Sequence, residues 1–159
     1  MYLFRRIKKE DHKLLFDLFV KNKDNKFFDP FPLDESSVNE ITTDFKNLYY
    51  GIFSEGMMIG FGMLRWYKRF KSPTLGLLID SAYRGKNLGI MMYAFLLAQA
   101  KERKYKEVFA IVHKDNLASM HIAKMLGMIE LEKLAFKNRY DFTKYDCKDK
   151  VILIKSNEK

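Results

Sequence analysis

Residues 83 to 89 read YRGKNLG and stand between a continuously apolar run, TLGLLID, and a long stretch whose apolar residues recur at helical spacing. A helix start of this kind has backbone N–H groups without intrahelical partners and a partial positive charge, so anionic oxygens bind there readily. Gly85 and Gly89 remove side chains from the turn and let backbone amides approach a ligand, while Arg84 and Lys86 add full positive charge beside them. The chemistry this could do is phosphate binding. Asn87 occupies the place where a further glycine would serve best. It keeps its backbone N–H, and after glycine it is the residue that best tolerates a left-handed backbone. Taken alone, the loop also reads as an ordinary strand-to-helix turn with a lysine in it.

A second chemical segment lies downstream. In NLASMHIAKMLGM (116 to 128), Asn116 can cap a helix and Gly127 can close it. His113 ends the run EVFAIVH just before it, and a reference pKa of about 6.5 would suit a general base, although a histidine at a strand end is often simply exposed. His121 falls on the short helix as a surface or core residue. Cys147 lies in the charged string KYDCKDK with no base in view, so a covalent cysteine route is not expected. One cysteine excludes an intrachain disulfide, and the three histidines (His12, His113, His121) give no zinc-ligand spacing, so no metal is expected.

The chain that must position these residues has 159 of them, 48% apolar and 31% charged, which suits one compact domain over 1–159. The formal charge of +9 suits an anionic partner without choosing among a nucleic acid, an acidic surface and a polyphosphate cofactor. With no aromatic-basic RNA motif and no Cys/His finger, a nucleic-acid partner is not expected. No apolar run is long enough to cross a bilayer, so no membrane partner is expected either, and the cysteine usage fits a reducing cytoplasm.

Periodicity places a strand at 2–7, then a helix on whose face Leu14, Leu15, Leu18 and Phe19 recur. NKFFDPFPLDESS, with Pro30 and Pro32, reads as an ordered aromatic loop, and Ser36 or Ser37 as the cap of a second helix through about Asn47, with Glu40 completing a capping box from Ser37. Strands at 48–53 and 58–66 form a hairpin turned by Gly56. A strand at 74–80 is followed by a helix with Leu88, Met91, Met92, Phe95 and Leu96 on one face, and then by a strand at 107–113. Strand, helix, strand defaults to a right-handed parallel crossover. ELEKLAFKN, RYDFTKY and KVILIK close the chain as strand-like pieces.

R-x-x-N-x-G (Arg84, Asn87, Gly89), after an apolar strand and before a long helix, resembles the R/Q-x-x-G-x-G/A acyl-CoA pyrophosphate loop of the GNAT superfamily of N-acetyltransferases, departing from it at Asn87. Dinucleotide and nucleoside-triphosphate loops fit worse, since neither G-x-G-x-x-G nor G-K-[ST] is present. Asn116, Ser119, Leu126, Gly127 and Met128 likewise resemble the family's N-x-x-S/A-x-x-x-x-x-L-G-F segment, in the expected order behind the loop. The resemblance implies a mixed α/β domain: a central, mostly antiparallel sheet with one splayed parallel strand pair and helices on both faces.

It implies a function as well. Acetyl-CoA would be held by Arg84, Gly85, Lys86, Asn87, Leu88 and Gly89 at the pyrophosphate and by Asn116 and Ser119 beside it. The pantetheine amides would pair with backbone groups of Leu77, Leu78 and Ile79. Gly76 in that strand fits a bulge or a close backbone approach. A primary amine would attack the thioester directly, with no covalent enzyme intermediate. Many family members place a tyrosine seven residues after the helix-opening Asn to protonate the thiolate; here that position is Ala123, which leaves His113 as the candidate catalytic residue. Phe27, Phe28, Asp29, Phe31, Tyr49, Arg65, Trp66 and Tyr67 are the candidate acceptor-side residues, with Phe28, Asp29, Phe31, Arg65 and Trp66 foremost. A loose likeness of GFGMLRW and SPTLGLLID to members from bacterial surface-sugar pathways suggests an amino-sugar acceptor. A peptide or protein amine, a non-catalytic acyl-CoA sensor and a homodimer stay open.

Overall fold

The computed structural model describes residues 1–28, 30–134 and 149–157. β1 (Leu3–Arg6) passes through a 3-10 turn into α1 (His12–Lys21). Asp11 fixes that junction: Arg5 Nη1 and Nη2 donate to its carboxylate at 2.7 and 2.9 Å, and the Lys8 N–H donates at 2.7 Å. The Arg5 hydrogen bonds hold the nearly buried Asp11 carboxyl below the usual carboxylate range. Leu15, Leu18 and Phe19 are buried along α1, the face the spacing predicts.

α2 spans Glu35–Thr43, and its cap differs from the expected one. Asp34 Oδ1 accepts the Ser37 N–H at 2.9 Å, so the cap is Asp34 and neither serine, and Glu40 pairs with Arg65 at 2.6 Å instead of reaching back to the helix start. An aspartate followed by a glutamate satisfies the orphan amides and complements the helix dipole, which a serine two residues later cannot do for the first turn. The helix stops four residues before Asn47 because Asp44 leaves the helical region and accepts from Lys46, Asn47 and Tyr49, organising the turn into β2.

β2 (Leu48–Ser54) and β3 (Met57–Tyr67) form the hairpin, with Glu55 at φ 50° and Gly56 at φ 77°. Two consecutive left-handed residues match the twist of the flanking strands. β4 (Ser72–Ile79), α3 (Leu88–Glu102) and β5 (Glu107–His113) make the crossover, and α4 (Leu117–Met125) ends at Gly127, φ 93°. Of ELEKLAFKN, Glu130 belongs to β6 (Ile129–Glu130), and Leu131–Lys133 is a 3-10 turn where a strand was expected. Residues 135–138 of that stretch, all of RYDFTKY and Cys147 lie outside the described residues. KVILIK is realised in β7 (Lys150–Ser156).

Among the described residues seven strands run in the order β1-β2-β3-β4-β5-β7-β6, and every neighbouring pair is antiparallel except β4 with β5. Helices cover both faces, as expected. On one face α1, α2 and the aromatic loop bury Leu15, Phe19, Val38, Phe61, Met63 and Leu78; on the other α3 and α4 bury Leu64, Leu75, Met92, Leu96, Val108 and Ala123. Each large apolar side chain so buried contributes about 1.5 to 3 kcal/mol. On α3, Met91 is half exposed, against expectation, while Tyr93, Leu97 and Ala100 are buried. The buried face follows the sheet on one side and α4 on the other, which takes it past Met91 to positions 92, 93, 96, 97 and 100.

Two glycines make room for neighbouring side chains. A Cβ at Gly62 would lie 2.6 Å from Met92 Cγ and Sδ on α3. A Cβ at Gly76 would lie 2.5 Å from Met63 Cε. Gly76 therefore accommodates a packed side chain; the register shift of the sheet falls in β2, between Ile52 and Phe53, and β4 runs unbroken against β3.

Candidate functional site

β4 pairs with β3 from Ser72 to Ile79 but with β5 only at Thr74 and Leu75, opposite Phe109 and Ala110. β5 meanwhile stays paired with β7 along its whole length, from Glu107 to His113. Beyond Leu75 the two parallel strands part, and among the described residues the β5-facing edge of 76–79 has no strand partner. A cleft of about 510 Å³ opens in the gap, its floor formed by residues 75–79 and its walls by α3, α4 and the loop around Phe27, Phe28 and Pro30. That volume lies in the usual range for small-molecule sites, about 300 to 1,000 Å³.

The mouth of the gap is built by the turn after β4. The Asp80 N–H donates to Ile59 O at 2.9 Å, extending the register by one residue, and a 3-10 turn (Ser81–Tyr83) swings the chain away from the sheet. Gly85 (φ 76°) and Asn87 (φ 63°, ψ 14°) are both left-handed. Asn87 is the N-cap of α3, yet its side chain makes no capping bond. The first-turn residues Leu88, Gly89 and Ile90 line the cleft with the exposed Arg84 alongside, and the first amides of a helix have no intrahelical partner. This donor set fits a polyphosphate: fixed N–H groups, a favourable dipole and a guanidinium. A Cβ at Gly89 would stand 3.4 Å from both Ile122 Cδ1 and Leu77 Cδ2, so the helix start is wedged between β4 and α4 with contact room for a methyl and no more.

On the α4 wall, Asn116 Oδ1 accepts the Ser119 N–H at 3.2 Å and caps the helix. Ser119 Oγ lies 3.0 Å from the hydroxyl of Tyr93 on α3, and both residues line the cleft. Burial pushes the Tyr93 phenol above its ordinary value, while the Ser119 hydrogen bond opposes the shift. Ala123, one turn beyond Ser119, is fully buried among the residues packed between α3, α4 and the sheet.

Of the residues singled out from the sequence, Leu77, Leu78, Ile79, Arg84, Gly85, Asn87, Leu88, Gly89, Asn116 and Ser119 line the cleft, as does Phe28. Leu78 and Leu88 are each only 1% exposed. Lys86 is exposed and is not among the lining residues. His113 also stands outside the lining: its Nδ1 accepts the Asp115 N–H at 3.1 Å, and its ring packs 5.3 Å from that of Phe27. Phe31 packs edge-on against Phe28 and Phe61, and Arg65, paired with Glu40, lies 5.4 Å over the Phe31 ring. Trp66, 49% exposed, packs against Tyr105 and pairs with Pro73 at the start of β4, while the turn with Gly85 and Asn87 follows the other end of that strand. Asp29 lies outside the described residues. His121, taken from the sequence as surface or core, lines the cleft. Tyr93 was missed altogether, because nothing in a helical apolar face marks the one hydroxyl that turns toward a neighbouring helix.

The geometry has counterparts. The family model described as acetyltransferase (GNAT) domain matches residues 2–129. A search of curated proteins gives no match. Among solved structures, the ribosomal-protein-S5-alanine acetyltransferase from Vibrio fischeri is 17% identical with TM-score 0.74, covering 99% of this chain and 93% of its own. An N-acetyltransferase from Staphylococcus aureus Mu50 is 16% identical with TM-score 0.75, covering 99% of each chain. RimL, a ribosomal alpha-N-protein acetyltransferase in complex with coenzyme A, is 16% identical with TM-score 0.70, covering 98% of this chain and 93% of its own. At such identities the three structures speak for the fold, whereas the family match spans most of the sequence, and it is on this match that the chain belongs to the GNAT acetyltransferase family, acyltransferases that draw their acetyl group from acetyl-CoA.

Proposed function

We propose that the protein transfers the acetyl group of acetyl-CoA to the primary amine of a small molecule, with an amino sugar as the favoured acceptor class and the cytoplasm as its place of work. The observation that carries the reading is the end of the β4–β5 ladder at Leu75 with an uncapped helix start at the mouth of the gap. The pyrophosphate would take the amides of Asn87, Leu88 and Gly89 and the charge of Arg84. The pantetheine amides would occupy the open edge of Leu77 to Ile79 in place of a strand, so the acyl end reaches the point where the strands rejoin.

Reaction there needs no covalent enzyme intermediate. The amine nitrogen bonds to the acyl carbon, the carbon–sulfur bond breaks, the nitrogen loses a proton and the departing thiolate gains one. With alanine at position 123 and His113 turned to its own loop, the Ser119 hydroxyl backed by Tyr93 is the polar pair available in the α4 wall to steady the thiolate. The acceptor would enter beside Phe28.

Thiol release from acetyl-CoA, measured against a panel of amino sugars, polyamines, aminoglycosides and peptide N-termini, tests the reading. Turnover on a small amine is the expected result. Turnover on peptides alone would move the acceptor to a protein amine, and tight coenzyme A binding without turnover on any member would favour an acyl-CoA sensor, the reading that Ala123 supports.

A further inference from the structure

Asp80 is a carboxylate at the root of a site proposed to bind anions, and its side chain is 2% exposed. Its partners come from the end of α1. Lys21 Nζ lies 3.0 Å from Oδ2, and Asn22 Nδ2 donates to Oδ1 at 3.1 Å while also donating to Leu18 O at 2.9 Å. Asn22 Oδ1 in turn accepts the Ser81 N–H at 3.3 Å. Asn22 is itself buried, at 6% exposure. The two side chains thus satisfy each other and the two backbones across 58 residues of sequence.

The same asparagine starts the opposite wall. Its carbonyl accepts the Asn25 N–H at 2.9 Å, and Asn25 Oδ1 accepts the Phe27 N–H at 3.0 Å. Asn25, Phe27 and Phe28 line the cleft. On the other side of the link, the Asp80 carbonyl accepts the Tyr83 N–H at 2.9 Å, closing the turn from which Arg84 and Gly85 emerge. An unbroken series of hydrogen bonds therefore joins the coenzyme cradle to the loop proposed to receive the acceptor. A buried carboxylate must be paired to persist, so loosening either end leaves an unsatisfied charge and disturbs the other end.

We infer that Asp80 and Asn22 are positioning residues that couple the coenzyme cradle to the acceptor wall, so that coenzyme in the cleft orders residues 25–28 before the amine arrives. The inference rests on the acetyl-CoA reading of the cleft. Coupling of this kind is reciprocal in free energy, and a pre-ordered wall raises acceptor affinity without any direct contact between the two substrates.

Hydrogen exchange with and without coenzyme A, alongside calorimetry of coenzyme A binding, tests it. In the wild-type protein coenzyme A should slow exchange of the amides of 25–28 as well as those of 84–90. In Asn22→Ala and Asp80→Asn, affinity should fall no more than about tenfold, with 84–90 still protected by coenzyme A and 25–28 no longer. Lys21→Met removes a side chain that is 58% exposed, so it leaves the core intact, and should lower the protection of 25–28 by half or more. Protection of 25–28 that persists in all three variants would show direct contact with coenzyme A and overturn the coupling, as would a wild-type protein in which coenzyme A protects 84–90 alone. Absence of coenzyme A binding to the wild-type protein is a separate outcome: it would overturn the functional reading itself, and the coupling with it.

Discussion

Asn87 gives the sharpest test of the cradle, because its side chain makes no capping bond and its backbone is left-handed at φ 63°, ψ 14°. Its contribution is therefore conformational. An L-residue in this region costs about 1 to 2 kcal/mol, a cost from which glycine is exempt and which asparagine feels least among the others. Asn87→Gly should hold coenzyme A within about twofold of the wild-type protein, since the amide and its direction are kept. Asn87→Ala should lose about 1 kcal/mol, which is roughly a fivefold weaker dissociation constant at 1.4 kcal/mol per tenfold. Asn87→Val, with a β-branched side chain in a region it scarcely visits, should lose about tenfold or more. Calorimetric titration with coenzyme A, paired with thermal melts, separates the two places the cost can appear: in affinity if the empty loop relaxes, in stability if the fold holds it. Two results would refute the reasoning. If Asn87→Gly weakens binding as much as Asn87→Ala, the asparagine amide and not the backbone meets the ligand; if Asn87→Ala changes neither affinity nor melting temperature, the left-handed cradle is not used.

Other expectations follow from the same geometry. Gly89→Ala should be tolerated, because the added methyl meets Ile122 and Leu77 at 3.4 Å, whereas Gly89→Val should weaken acetyl-CoA binding about tenfold or more by blocking backbone approach; unchanged affinity in a folded valine variant would sink the cradle assignment. Tyr93→Phe removes the partner of Ser119 and should lower kcat/KM about fivefold, the equivalent of one hydrogen bond near 1 kcal/mol. Because burial raises that phenol's pKa, the pH–rate profile should gain or lose no break between about pH 6 and 9, and a shifted break would show that Tyr93 ionises in turnover. Asp11→Asn should cost about 1.5 to 3 kcal/mol near neutral pH, the range for hydrogen bonds to a charged group. Its folded pKa is depressed by Arg5, so that stability is fully present above the ordinary carboxylate value and lost as pH falls through the lower folded value. Thermal melts should accordingly show the gap between wild type and Asp11→Asn closing only in acid, and a gap independent of pH would contradict the assignment.

What could be read from the sequence was whatever local chemistry dictates. YRGKNLG announced a helix start suited to anions because glycine, asparagine and arginine act within a few residues of one another, and Asn116 and Gly127 marked both ends of α4 for the same reason. The α2 cap was misplaced because Asp34, Ser36 and Ser37 all have side chains able to cap, and only the incoming direction of the loop decides among them. The width of the cleft was out of reach. It depends on where the β4–β5 ladder stops, which is set by β3 and β7 pulling the two strands toward opposite edges of the sheet. Contacts between distant segments were equally hidden: Tyr93 with Ser119 and Asn22 with Asp80 are each ordinary in their own surroundings and acquire a role only once the chain has closed. Arg65 and Trp66, named for the acceptor side, are delivered by β3 beside the start of β4, a register that no local pattern reveals.

The missing side chain at Gly62 has a wider reach than its place in the middle of β3 suggests. Met92 fills the space that a single methyl group would contest, so the stand-off between α3 and the sheet is set there, one turn from the helix start that lines the cleft. A helix is stiff over such a span, and a shim of one carbon atom under Met92 would tip its first turn as a lever tips about a fulcrum. The alignment of the cleft mouth with the open edge of β4 thus rests in part on Gly62, which is not among the residues lining the cleft, and a change there would alter the fit of the cleft while leaving every lining residue unchanged.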